Sequence, residues 1–85
     1  MVSDTPNWDE TRMAEAHYAN CFKIGHNNFE FILDCGQSAG EGTGVRLTAR
    51  IITNPHSVKS LYQTLQRSIE DYERTFGLIP GNGEE

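Results

Sequence analysis

The chain has 85 residues, 22% of them charged, with a net charge of −5 at pH 7 and an isoelectric point near 5.0. A domain of this length buries only about 60% of the surface its unfolded chain exposes, so a lone monomer is marginal. The acidic balance argues against a nucleic-acid or anionic-membrane surface, which needs clustered Lys and Arg.

No stretch approaches the roughly 18 apolar residues of a membrane span. The polar start MVSDTPNWDETR lacks the basic and apolar regions of a secretory signal. The expectation is a cytoplasmic location, with the thiols of Cys21 and Cys35 reduced.

Composition divides the chain into a flexible arm at 1–8, a single α+β domain at 9–79 and a flexible tail at 80–85. Trp8 is the first side chain large enough to anchor anything, either as a lid over the core or as a contact for a partner. The stretch DETRMAEA, Asp9 to Ala16, suits a helix by composition and equally suits a direct lead into a strand.

From Tyr18 the period becomes two, with Tyr18, Phe22 and Ile24 on one face and Ala19, Cys21 and Lys23 on the other, which is a strand. The alternation resumes with Phe29, Phe31, Leu33 and Cys35 inward and Glu30, Ile32 and Asp34 outward. A two-residue primed turn at Asn27-Asn28 places Phe31 opposite Ile24 and Leu33 opposite Phe22. Cys35 then points inward and Cys21 outward, too far apart in direction for a disulfide.

Gly36 to Gly44, GQSAGEGTG, reads as a mobile connection. A phosphate-binding loop would need a Gly-Lys-Ser/Thr and a following helix, and here a strand follows. In that strand, Val45, Leu47, Ala49 and Ile51 alternate against Arg46, Thr48, Arg50 and Ile52. It runs into NPHSVKSLYQTLQRSIEDYERTFG, whose N-cap is Asn54 or, as the alternative, the preceding Thr53, with Pro55 pre-set at the first helical position. Val58, Leu61, Tyr62, Leu65, Ile69, Tyr72 and Phe76 form one helical stripe. Glu70 and Arg74 stand at the spacing of an exposed ion pair, and Gly77 is the stop.

The predicted architecture is therefore a three- to four-stranded antiparallel sheet, a hairpin plus a third strand, packed on one long C-terminal helix. Tyr18, Phe22, Phe31, Leu33, Leu47, Ile51, Leu61, Leu65 and Ile69 are its expected core.

The segments Tyr18-Ala19-Asn20, Glu30-Phe31-Ile32-Leu33-Asp34, Arg50-Ile51-Ile52-Thr53-Asn54-Pro55 and Tyr72-Glu73-Arg74-Thr75-Phe76-Gly77, in this order, resemble a family of short bacterial proteins, domain of unknown function 3467. The resemblance spans about Tyr18 to Ile79. It departs at Cys35, where phenylalanine is typical of the family, and in the glycine-rich loop, where a Pro-Gly is common. It implies no enzymatic activity.

Chemistry-bearing residues are sparse. His17, His26 and His56 stand at element boundaries without ligand spacing, and cysteines on opposite sheet faces cannot join them on one zinc. An inward Cys35 is more simply a small core residue than a nucleophile beside Asp34. Arg46 and Arg50, with Lys23, form either a basic strip for an acidic partner or a solvated face pairing with Glu30 and Asp34. No catalytic residue, metal or cofactor is expected.

The uncovered outer face, with Ala19, Cys21, Ile32 and Ile52, and an unguarded strand edge favour a homo-oligomer, most simply a dimer. Cys21, Ile32, Arg46, Arg50, Ile52 and Trp8 are its candidate contact residues, for another subunit or for a protein partner. The expected function is a small non-enzymatic interaction module, an adaptor or a chaperone of the SecB type by fold-level analogy. A regulatory protein, such as an antitoxin or a transcription-associated dimer, is the alternative. The acidic charge and lack of a basic helix weigh against it, and a small enzyme or ligand carrier would need a pocket with convergent polar groups.

Overall fold

Asn54 is the only residue between the last strand and the helix, and it fixes how the two meet. In a computed structural model that describes residues 7–12 and 14–81, its backbone is extended, at φ −103° and ψ 165°. Its side-chain oxygen accepts a hydrogen bond from the Ser57 N–H at 2.8 Å, satisfying one of the free donors of the first helical turn. The helix α1, Pro55–Phe76, starts on Pro55, as its missing N–H allows. It ends at Gly77, whose φ of 105° with ψ of 168° belongs to a region that only glycine adopts freely. The Gly77 N–H donates to the Glu73 carbonyl at 3.0 Å, and the Glu73 carboxylate accepts from the Ile79 N–H at 2.9 Å. Arg74 pairs with Asp71 at 2.9 Å, three residues back, and not with Glu70, the partner that the four-residue spacing predicts.

Three strands, β1 Cys21–His26, β2 Phe31–Ser38 and β3 Val45–Thr53, form one antiparallel sheet in sequence order. With the helix they make the expected α+β fold. The N-terminal arm lies outside the described residues at 1–6, as does the tail from 82 on. Between the arm and β1, Glu10–Arg12 forms a single 3-10 turn. It is opened by Asp9, whose carboxylate accepts from the Thr11 hydroxyl and N–H and is held below the ordinary carboxylate range by those two bonds.

The strands begin later than periodicity indicates. Tyr18 and Ala19 are a lead-in, and Asn20 does the joining: its N–H donates to the Gly36 carbonyl at 2.9 Å. Its side-chain amide meets both backbone groups of Ser38, accepting from the N–H at 2.9 Å and donating to the carbonyl at 3.2 Å. Phe29 lies in the hairpin loop, not in β2.

That loop is no primed turn. Among the described residues no non-glycine residue has positive φ. Asn27 instead bends the chain with its side chain, whose oxygen accepts from the Phe29 and Glu30 N–H groups at 2.8 and 2.9 Å. The longer loop moves the register by two residues, so that Ile24 faces Leu33, Phe22 faces Cys35 and His26 faces Phe31. An even shift preserves the faces. Cys21 and Cys35 therefore do stand on opposite sides, and both are free thiols.

β2 extends into the glycine-rich segment as far as Ser38, leaving 39–44 as the connection. Positive φ at Gly40, Gly42 and Gly44 closes that turn. β3 then departs from simple alternation: Cys35 faces Ala49 and Gly36 faces Leu47, so Thr48 is an extra residue, a β-bulge, with its hydroxyl donating to the Cys35 carbonyl at 3.0 Å. Val45 and Leu47 are thereby turned onto the face of Asp34 and Arg50, and Arg46 onto the opposite one.

The expected core does not form within one chain. Among the described residues no hydrophobic side chain is buried, and Phe22 is 67% and Leu65 52% exposed. The helix makes only marginal contact with the sheet. The radius of gyration is 15.5 Å, where a compact domain of this length has about 12 Å. The accessible surface is 7792 Å², where a folded monomer of this mass exposes about 5,100 Å².

The cap has a measurable share in holding the helix. Asn54→Ala should lower stability by about 0.5–2 kcal/mol, read as a reduced denaturation midpoint at fixed protein concentration. An unchanged midpoint would show that the Asn54–Ser57 bond contributes nothing.

Candidate interaction surface

The sheet has two chemically different faces. The first carries Phe22, Ile24, Phe31, Leu33, Ala49 and Ile51, bordered by His26, whose ring lies 5.3 Å from that of Phe31. The second carries Cys21, Lys23, Ile32, Asp34, Arg50 and Ile52, joined through the bulge by Val45 and Leu47.

Asp34, on the central strand, is the one buried charged residue among those described, at 8% exposure. It lies in register with Arg50 on one side and Lys23 on the other. The Arg50 guanidinium grips it as a fork, Nε to Oδ1 at 2.7 Å and Nη2 to Oδ2 at 3.0 Å. This two-point geometry is the strong form of the arginine–carboxylate pair.

The hydrogen bonds from Arg50 hold the Asp34 carboxyl below its ordinary value of 3.8. Desolvation is the next influence and opposes this, and the positive charges of Arg50 and Lys23 add smaller contributions to the lowering. Asp34 is covered by its neighbours' side chains in a single layer and not sunk in an interior, so burial is the lesser influence. Asp34 reciprocally raises the Arg50 pKa.

Beside this pair, Gly36 permits a close approach. A Cβ there would lie 2.5 Å from Val45 Cγ1 and 3.1 Å from the Arg46 carbonyl oxygen. Val45 therefore lies over Gly36, and with Leu47, Cys21, Lys23 and Arg50 it rims an open hollow of about 380 Å³. The hollow has an apolar side, a cationic side and a neutralised carboxylate at its floor, and no nucleophile paired with a base. Among the described residues no three His, Cys, Asp or Glu side chains converge on a point.

Of the contact residues expected from sequence, Cys21, Ile32, Arg50 and Ile52 share this face. Arg46 does not, because the bulge at Thr48 reverses it, and Trp8 lies outside the strands and is 76% exposed. Val45 and Leu47 escaped sequence reasoning because strict alternation assigned them to the other side. The signal available was Thr48 followed by small Ala49 opposite glycine-bearing β2.

Two outcomes test this geometry. Stability should be fully present above pH 3.8, the ordinary carboxylate value, and should fall as pH drops through the lower folded-state value, because the unfolded chain binds the proton more readily. Asp34→Asn should remove that part of the pH dependence while leaving the contribution of Asp9; identical wild-type and variant profiles would contradict the ion pair. Gly36→Ala should cost about 1–3 kcal/mol by overpacking, and Val45→Ala in the same chain should restore most of the loss. If Gly36→Ala were neutral, Val45 could not occupy the place described.

The segments of the family resemblance are those that make these contacts: Asn20 clamps Ser38, Asp34 receives Arg50, Asn54 caps the helix and Gly77 ends it. Among the described residues no helix is long and apolar enough to cross a membrane. Neither a comparison with curated proteins nor one with solved structures gives a match. A family model described as "Protein of unknown function (DUF3467)" matches residues 5–80, and the chain belongs to that family.

Proposed function

We propose that this protein is a non-enzymatic interaction module that acts as a homo-oligomer, a dimer in the simplest case. The observation that carries this reading is the absence of any buried apolar side chain among the described residues. Folding must offset a conformational entropy cost of about 1–2 kcal/mol per residue for the backbone alone, and apolar burial is its main source of free energy. A chain that buries no apolar side chain by itself obtains that burial by association.

The second sheet face, with its apolar rim and its Lys23 and Arg50 cations, is the surface that such an oligomer offers to another protein. Mixed apolar and arginine character is typical of protein contacts. The role is that of an adaptor or a chaperone-like holder in the bacterial cytoplasm, where Cys21 and Cys35 remain thiols. It needs no cofactor.

Sedimentation equilibrium at micromolar concentration should give a multiple of the 9.6 kDa chain mass, and the thermal midpoint should rise with protein concentration, as it does when folding and assembly are linked. A folded species that stays at 9.6 kDa, with a midpoint independent of concentration, would refute the reading.

A further inference from the structure

The geometry points to a helix-exchanged dimer, in which α1 of each protomer lies across the Phe22–Leu33–Ile51 face of a second copy's sheet. This deepens the homo-oligomer reading above and rests on it.

The first argument is the junction. A helix that folds back over the strand preceding it needs a reversal of the chain, for which strand-to-helix connections commonly provide about 2–6 residues. Here there is one, Asn54, held extended and bonded to Ser57. The helix is thereby directed away from its own sheet, and its stripe stays uncovered. Short hinges of this kind favour exchange between identical chains.

Shape gives the second argument. Strands spaced about 4.8 Å apart make the sheet about 10 Å wide between its outer strands, the breadth of a single helix. Its apolar rows, Phe22–Cys35–Ala49 and Ile24–Leu33–Ile51, are followed by His26–Phe31–Thr53. They extend about 14 Å along the strands; the stripe from Val58 to Phe76 extends about 27 Å along the helix, and its middle part, Leu61 to Tyr72 at about 17 Å, is what one sheet face covers. This face carries no acidic residue, and Arg46 stands at its far end beyond the bulge.

The third argument is area. The chain exposes 7792 Å², to which Trp8, Tyr18 and Leu78 outside the two surfaces also contribute, a surplus of roughly 2,700 Å² over a compact monomer. A standard interface takes about 800 Å² from each partner, and obligate dimers take several times that. Stripe-to-stripe pairing of two helices explains less. The a/d pattern Val58, Tyr62, Leu65, Ile69, Tyr72, Phe76 spans 19 residues, about two and a half heptads and still short of the three or four that mark a coiled coil, and both sheet faces would remain bare.

Complementation separates these arrangements. Leu65→Asp spoils the helix and Leu33→Asp the sheet face; Ile24→Asp on the edge strand replaces the latter if the central strand does not accept a charge. Each variant alone should dimerise at least tenfold more weakly than wild type. A 1:1 mixture should form a heterodimer at least tenfold tighter than either variant's self-association, because the intact helix of one fits the intact sheet of the other. With one of the two variants uniformly 15N-labelled, because the substitutions leave the chains equal in mass, native mass spectrometry distinguishes the species.

A sheet variant that still dimerises alone, or a mixture with no heterodimer, would overturn the exchange while leaving a wild-type dimer and the homo-oligomer reading in place. A monomeric wild type would overturn both. As a second measurement, four Gly/Ser residues inserted between Thr53 and Asn54 should shift the dimer toward a monomer with the helix on its own sheet, and an insertion variant that dimerises as tightly as wild type would also count against exchange.

Discussion

Everything about this chain depends on how little separates β3 from α1. Asn54 joins the end of the strand directly to the helix it caps, and its side-chain bond to Ser57 favours the extended exit seen there. Beside that short junction stand the exposed helical stripe, the uncovered sheet and the large surface. A longer connection would have permitted an ordinary two-layer domain.

The sheet is held together chiefly by polar devices. The Asp34–Arg50 fork ties β2 to β3, the Asn20 amide ties the lead-in of β1 to the far end of β2, and the Asn27 side chain closes the hairpin. Each satisfies backbone or charged groups that would otherwise have to be met by water, and each fixes register in a sheet that has no interior to impose one. Apolar residues are thus left available on both faces.

How much of this can be read from sequence depends on the range of the cause. The helix limits are legible because Asn54, Pro55 and Gly77 act within a few residues of themselves. The two faces of β1 and β2 are legible because side-chain parity survives an even shift in register. The hairpin turn is not, since Asn27 bends the chain with its side chain and not by positive φ, and both uses of asparagine look alike in a sequence. Nor is the face of Val45 and Leu47, because a bulge is the insertion of one residue into a pattern that is otherwise regular. The expected single-chain core failed for a further reason: matching periods show that a helix and a sheet are complementary, and they do not say whether the two pack on each other.

The bulge at Thr48 also bears on how this gene can change. In the connection 39–44, adding or removing a codon alters only the length of a surface turn, as loops generally tolerate. Inside β3 the same event has a different meaning. Loss of the Thr48 codon would restore strict pairing and, in one step, send Val45 and Leu47 to the face now occupied by Arg46. The hollow beside Asp34 would lose its apolar rim while every one of its codons remained intact. Length variation among related sequences should therefore collect in the turn and be purged from the strand, and a relative lacking the residue at Thr48 would present a differently composed surface on the same fold.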